Sequence, residues 1–153
     1  MKTKLLILTA LFVSGCCCCL KPPKIATSTS AIQPFRLAII PDTQWASRKW
    51  PEVLKTATKW ISDNHEAMDI EYVLHVGDMV ESGSNDTDWR NFNAAMSLLD
   101  GKVPYILSVG NHDIGKAPDS PGTVKFNEYF PRKRFENLTG FGGTYPAGKN
   151  DNS

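Results

Sequence analysis

Three short polar clusters carry the residue types that hold a divalent cation and move a proton. They are Asp42-Thr43-Gln44, Gly77-Asp78 and Gly110-Asn111-His112-Asp113. Carboxylate and amide oxygens are hard donors suited to divalent ions, and an imidazole titrates near neutral pH. Taken singly, each cluster reads as a turn or a helix cap, since Asn and Asp favour both. Their joint placement argues for more. Each cluster follows an apolar run, at Leu37–Ile40, Tyr72–Val76 and Tyr105–Val109. Read as buried parallel strands, these runs would bring all three clusters to the carboxyl edge of one open sheet, where α/β proteins gather their ligands.

Local geometry suggests a part for each residue. Asp42 and Gln44 lie two positions apart, so an extended backbone would aim both side chains the same way. Gly77 lets the chain turn sharply before Asp78. Asn111 offers a neutral oxygen ligand and His112 a titratable nitrogen. Asp113 is placed to hold that imidazole in one tautomer and raise its basicity. His75, inside the second run, reads as a packed or supporting residue rather than a ligand. His65 reads as a helix-end residue, where its cation suits the helix dipole.

Helices must separate these strands. Trp50–Asn64 carries Val53, Leu54, Ala57, Trp60 and Ile61 at helical spacing, and Pro51 is tolerated in a first turn. A strand at Ile70–Val76 follows. Trp89–Asp100 places Trp89, Phe92, Met96 and Leu99 on one face and meets Gly101, a suitable residue after a helix end. The third strand is Val103–Val109. This β-α-β-α-β order predicts right-handed crossovers and a parallel sheet. Residues 114–153 hold ten Gly or Pro in forty positions, about double the usual share, and no helix or strand is expected there. Such a tail, beside a three-stranded sheet with bare edges, leads us to expect the first part of a longer domain. Trp45, Tyr129, Phe130, Phe141 and Tyr145 read first as packing residues and second as a cleft lining. Arg132-Lys133-Arg134 reads as a solvated loop, and the sequons at Asn85 and Asn137 as exposed loops.

Composition narrows the class. With 17 basic and 16 acidic residues in 153, the net charge is +1, which gives no electrostatic reason to expect a nucleic-acid partner. Lys2 and Lys4 precede an apolar stretch, Leu5–Val13, too short to span a bilayer. Val13-Ser14-Gly15-Cys16 resembles a bacterial lipobox. Residues 1–19 are therefore read as a lipoprotein-type signal, with Cys16 lipidated. An ordinary secretory signal is the alternative. Either implies export, to a lipid-anchored place in the bacterial envelope or to a secreted or periplasmic one. All four cysteines lie at Cys16–Cys19, so the rest of the chain has no disulfide framework. Residues 20–34, with Pro22-Pro23, read as a flexible tether, and 35–153 as the domain.

The set Asp42-x-Gln44, Gly77-Asp78 and Gly110-Asn111-His112-Asp113 resembles the first three motifs of the calcineurin-like metallophosphoesterases. Those motifs read Asp-x-His, Gly-Asp and Gly-Asn-His-Asp/Glu, and the resemblance runs from about Phe35 to Asp113. It implies a layered α/β/β/α sandwich, here reduced to its first β-α-β-α-β part. It also implies a hydrolase of phosphomonoesters or phosphodiesters that uses two divalent ions (Mn, Fe, Mg or Zn) and a metal-bound hydroxide. Carried over, Asp42 and Gln44 would bind the first ion, Asp78 would bridge both and Asn111 would bind the second. His112 would protonate the leaving oxygen, with Asp113 as its partner. Two departures stand out. Gln44 occupies the place of the common His, a variation one branch of the family shares. A hard amide oxygen there shifts preference from zinc towards manganese, magnesium or iron. The later motifs, a lone His and a Gly-His-x-His, have no counterpart among His65, His75 and His112. About half the ligand shell is present, so the expectation is a phosphoesterase site inactive in this 153-residue chain. The alternative is a non-catalytic envelope lipoprotein, or a degenerate remnant, that binds a metal or a partner.

Overall fold

The three apolar runs form one parallel sheet in the computed structural model, which describes residues 34–138 and 141. These belong to a single compact unit, Gln33–Ser153. The signal segment with Cys16, nearly all of the tether and Tyr145 lie outside the described residues. The strands β1 (Arg36–Ile40), β2 (Ile70–His75) and β3 (Tyr105–Leu107) pair in the order β1-β2-β3. In this register Leu37 lies beside Tyr72, Ile39 beside Leu74, and Leu74 beside Ile106. Two helices, α1 (Gln44–Lys49) and α2 (Pro51–Asn64), connect β1 to β2, and α3 (Asp86–Met96) leads from β2 towards β3. The expected β-α-β-α-β order is what forms, with one helix more than the periodicity announced.

Among the described residues the strands are packed on one face. Side chains alternate across a strand, and Ile40, Val73, His75 and Tyr105 all turn into the core. Leu37, Ile39, Val76 and Ile106 turn the other way and are exposed, Ile39 by 62%. The helices cover one face of the sheet only among the described residues. The apolar runs thus match a sheet suited to burial on both sides, of which one side is packed.

The helices show how polar residues disguise a buried stripe. On α2 the buried positions are Leu54, Thr58, Ile61 and Ser62, at the i, i+4, i+7, i+8 spacing of one helical face. The Thr58 hydroxyl donates to the Leu54 carbonyl (3.1 Å), and Ser62 Oγ accepts from Lys102 (2.8 Å), so both polar groups are satisfied in the interior. Val53, Ala57 and Trp60 face outward instead, Trp60 with 51% exposure. On α3 the expected face holds: Trp89, Phe92 and Met96 are buried, with Leu99 following in a short 3₁₀ turn. The start of α3 differs from expectation. Asn85 Oδ1 accepts from the amides of Thr87 (2.9 Å) and Asp88 (3.2 Å), so this sequon is a helix cap rather than an exposed loop.

The tail has more structure than its Gly and Pro content suggests. A small antiparallel hairpin, β4 (Gly115–Ala117) and β5 (Ser120–Gly122), leads into α4 (Val124–Tyr129). Phe126, Phe130 and Phe135 are buried in the same core as Trp89 and Phe92. Rings of Trp89 and Tyr129 stack at 6.3 Å, and Phe92 meets Phe130 edge-on at 5.5 Å. Packing is therefore the role of Tyr129 and Phe130, while Trp45 is exposed and Phe141 packs at the edge of the core. Arg134 also departs from the solvated-loop reading. Its guanidinium lies over Phe130 (4.6 Å) and Tyr105 (5.7 Å) and pairs with Asp100 (3.0 Å). Arg132 and Lys133 are exposed.

Candidate metal centre

All three polar clusters leave the carboxyl edge of the sheet, and hydrogen bonds between their loops hold them together. The first cluster is not an extended strand end. Gln44 is the first residue of α1, and the turn that starts the helix brings it back onto Asp42. Asp42 Oδ1 accepts from the Gln44 amide (3.0 Å), and Oδ2 accepts from Gln44 Nε2 (3.1 Å). With Nε2 committed to a carboxylate, the orientation of the side-chain amide is set. Its other atom, Oε1, is buried with no hydrogen-bond partner. A buried acceptor without a donor is costly, and a cation is a partner that would satisfy it.

The second cluster is bent sharply. Gly77 sits at φ 104° and Asp78 at φ 51°, both in the left-handed region. Asp tolerates that region better than most residues, but holding it there costs on the order of 1–3 kcal/mol. The Asp78 backbone carbonyl accepts from the Thr43 amide (3.0 Å), which ties the first two clusters. Its side-chain Oδ1 accepts from the His112 backbone amide (2.9 Å), which ties the second to the third. Gly110 makes this approach possible: a Cβ there would lie 2.3 Å from Asp78 Oδ1.

In the third cluster Asn111 is exposed, His112 half-buried and Asp113 buried. The imidazole of His112 places Nδ1 2.9 Å from the carbonyl oxygen of Glu81. A carbonyl only accepts, so Nδ1 carries the hydrogen and Nε2 is left to gain or give a proton. Asp113 is not the partner of this ring, contrary to expectation. Its Oδ1 accepts from the Val80 amide (3.0 Å) and its Oδ2 from the Gly110 amide (2.8 Å). Burial pushes its carboxyl up to about 6, against the lowering effect of those amides. Asp113 braces the loop, and the Glu81 carbonyl orients the histidine. Glu81 had no sequence signal, because it acts through its backbone. Its side chain pairs with Arg48, which also reaches the buried Asp88 (2.9 Å).

Among the described residues, no three His, Cys, Asp or Glu side chains gather as a metal cluster. The donors that this edge does offer are two carboxylates, Asp42 and Asp78, and two amides, Gln44 and Asn111. Such an all-oxygen set fits a hard divalent ion, and the orphaned Gln44 Oε1 fits it too. Beside His112 lies a small cavity of about 100 Å³, lined by Glu81, Ser82, Gly83, Asn111, His112, Ile114 and Lys116. A larger groove of about 720 Å³ opens at the opposite edge of the sheet, around His65, Tyr72 and Lys102, away from these donors. His65 ends α2, as expected.

Residues 35–152 match the calcineurin-like phosphoesterase family. The uncharacterized protein YvnB of Bacillus subtilis (strain 168) is 36% identical over 105 residues, which is 68% of this chain and 8% of that protein. A protein of Arabidopsis thaliana named "Probable inactive purple acid phosphatase 24" is 33% identical over 76 residues, half of this chain and 11% of that one. The chain thus spans a small part of the length of these curated relatives. No solved structure gives a significant match. On the match over residues 35–152, the chain belongs to the calcineurin-like phosphoesterase family.

Proposed function

We propose that this edge binds divalent cations through Asp42, Gln44, Asp78 and Asn111 and belongs to a site for phosphoester hydrolysis. The observation that carries the reading is Gln44 Oε1, buried and unpartnered while its own Nε2 is fixed on Asp42. Bound divalent ions would supply Lewis-acid activation and charge neutralisation at the phosphoryl group. The chain's own residues do the rest. Asp78, held by the His112 amide, keeps the second and third loops at a fixed separation. His112 keeps Nδ1–H on the Glu81 carbonyl, and its imidazolium form would donate the second proton, from Nε2, to a leaving oxygen as a general acid. Phosphomonoesters and phosphodiesters are the substrate class, with two ions as the full complement.

A second reading is a site that binds metal without turnover. One observation favours it: a relative bears the word inactive in its name. Calorimetric titration with Mn²⁺, alongside hydrolysis of p-nitrophenyl phosphate and its bis ester, separates the readings. The proposal expects Mn²⁺ binding that Asp78→Asn weakens by more than the roughly 10–100-fold typical of outer partners. Binding without hydrolysis supports the second reading. Equal affinity in wild type and Asp78→Asn refutes the site.

A further inference from the structure

His75 is a fully buried polar residue whose hydrogen bonds reach two of the three loops. It stands at the end of β2, three residues before Asp78, with its ring edge-on to Phe92 at 5.1 Å. Nδ1 lies 3.2 Å from the Gly77 backbone nitrogen. An amide N–H only donates, so Nδ1 accepts and the hydrogen of the neutral ring must sit on Nε2. Nε2 lies 2.9 Å from Thr43 Oγ1 and therefore donates to it. That leaves the Thr43 hydroxyl hydrogen free to donate to the Met79 carbonyl, 3.1 Å away. The direction of every bond in the chain is thereby fixed.

The placement matters more than the count. Thr43 stands between Asp42 and Gln44, while Gly77 and Met79 flank Asp78. One imidazole therefore joins the backbone on either side of the strained Asp78 to the middle of the Asp42–Gln44 turn. We propose that His75 is a positioning residue, which with Thr43 sets the spacing between the Asp42–Gln44 pair and Asp78. The inference rests on the proposed metal-binding reading of those residues. Burial favours the neutral ring that this bond pattern needs. Ser47 Oγ also donates to the Met79 carbonyl (2.6 Å), so that carbonyl is a shared anchor for the start of α1.

Isosteric changes test the relay. A Gln at position 75 keeps a donor near the place of Nε2, whereas an Asn keeps only an acceptor near the place of Nδ1. Mn²⁺ affinity of the chain is measured by calorimetry for His75→Gln, His75→Asn, Thr43→Ser and Thr43→Val, with thermal melts alongside. The expected result is a loss of about 10–100-fold in His75→Asn and Thr43→Val. His75→Gln and Thr43→Ser should stay near wild type. The double variant His75→Asn/Thr43→Val should be no worse than either single one, as expected of two groups in one chain of bonds. A purely structural role would lower the melting temperatures and leave Mn²⁺ affinity alone, and that result overturns the inference. If His75→Asn fails to fold, the Thr43 pair decides, because Thr43→Val preserves shape and removes only the hydroxyl. Failure of the underlying reading looks different: wild type itself would then bind no Mn²⁺.

Discussion

His112 presents two separable chemistries to the site. Its backbone amide holds Asp78 Oδ1 at 2.9 Å, while its ring, oriented by the Glu81 carbonyl, leaves Nε2 for proton transfer. Substituting His112→Ala removes the second and spares the first. Mn²⁺ affinity should therefore stay close to wild type. On the proposed hydrolytic reading, hydrolysis of an alkyl phosphate, whose leaving oxygen needs a proton, should slow by about 10²–10⁴-fold. A p-nitrophenyl ester, whose phenolate leaves unaided, should slow much less. Equal losses for both esters would remove the general-acid role from His112. The residues proposed as oxygen donors could be named from the sequence, because Asp, Asn and Gln after an apolar run are conspicuous. The residues that orient them could not. Glu81 acts through a carbonyl that every residue possesses, and Asp113 looks like a catalytic partner until its two oxygens are found on backbone amides. Side-chain identity reports what a group can do and not which neighbour it does it with.

Helix ends show the same limit at the next scale. The apolar spacing of α3 located its buried face correctly, yet its start lies earlier, at the Asn85 cap, than the first apolar residue suggests. The cap satisfies two amides that have no partner within the helix. Asn85→Ala should cost about 1 kcal/mol of stability in urea denaturation, and Asn85→Asp much less, since a carboxylate caps as well. Neither should change Mn²⁺ affinity, because Asn85 touches none of the donors; a change would mean that α3 is coupled to the site. The helix α1 escaped notice because six residues are too few to show a period. On α2 the true stripe was hidden by Thr58 and Ser62, polar residues that sit inside because their hydroxyls find partners there. In the tail, Tyr129 and Phe130 could be read as packing residues, while the Gly and Pro around them obscured Phe126 and Phe135, which are buried in the same core. Arg134 belongs to this group, since its charge suggests solvent while its planar head covers Phe130 and Tyr105.

At the scale of the whole molecule, parallel topology follows from three apolar runs in alternation with helices. Which face of the sheet is packed does not, because apolar residues occupy both sides of each strand. Folding then leaves two buried titratable groups near the site whose linkage to pH runs in opposite directions. Burial pulls His75 down from 6.5 to about 4, opposed by the nearby Asp78 charge. As pH falls from about 6.5 towards 4, the unfolded chain takes up this proton and the folded chain does not. The folded state accordingly loses up to about 3 kcal/mol over that window. Burial pushes Asp113 up from 3.8 to about 6. Below 6 the folded chain binds that proton first, and it gains roughly 2 kcal/mol by the time pH reaches 4. The two effects oppose one another between pH 6 and 4, so each masks part of the other in the metal-free chain. Removing either group should expose the other. In His75→Gln, stability measured by urea denaturation with chelator present should rise as pH falls from 6 to 4. In Asp113→Asn it should fall over the same interval, on top of a constant loss from the amide that its carboxylate no longer accepts. Only the slopes test the assignment, because each substitution also shifts the baseline. Opposite slopes in the two variants, with wild type between them, are the expected signature, and parallel profiles in all three proteins would show that neither group titrates as its burial requires.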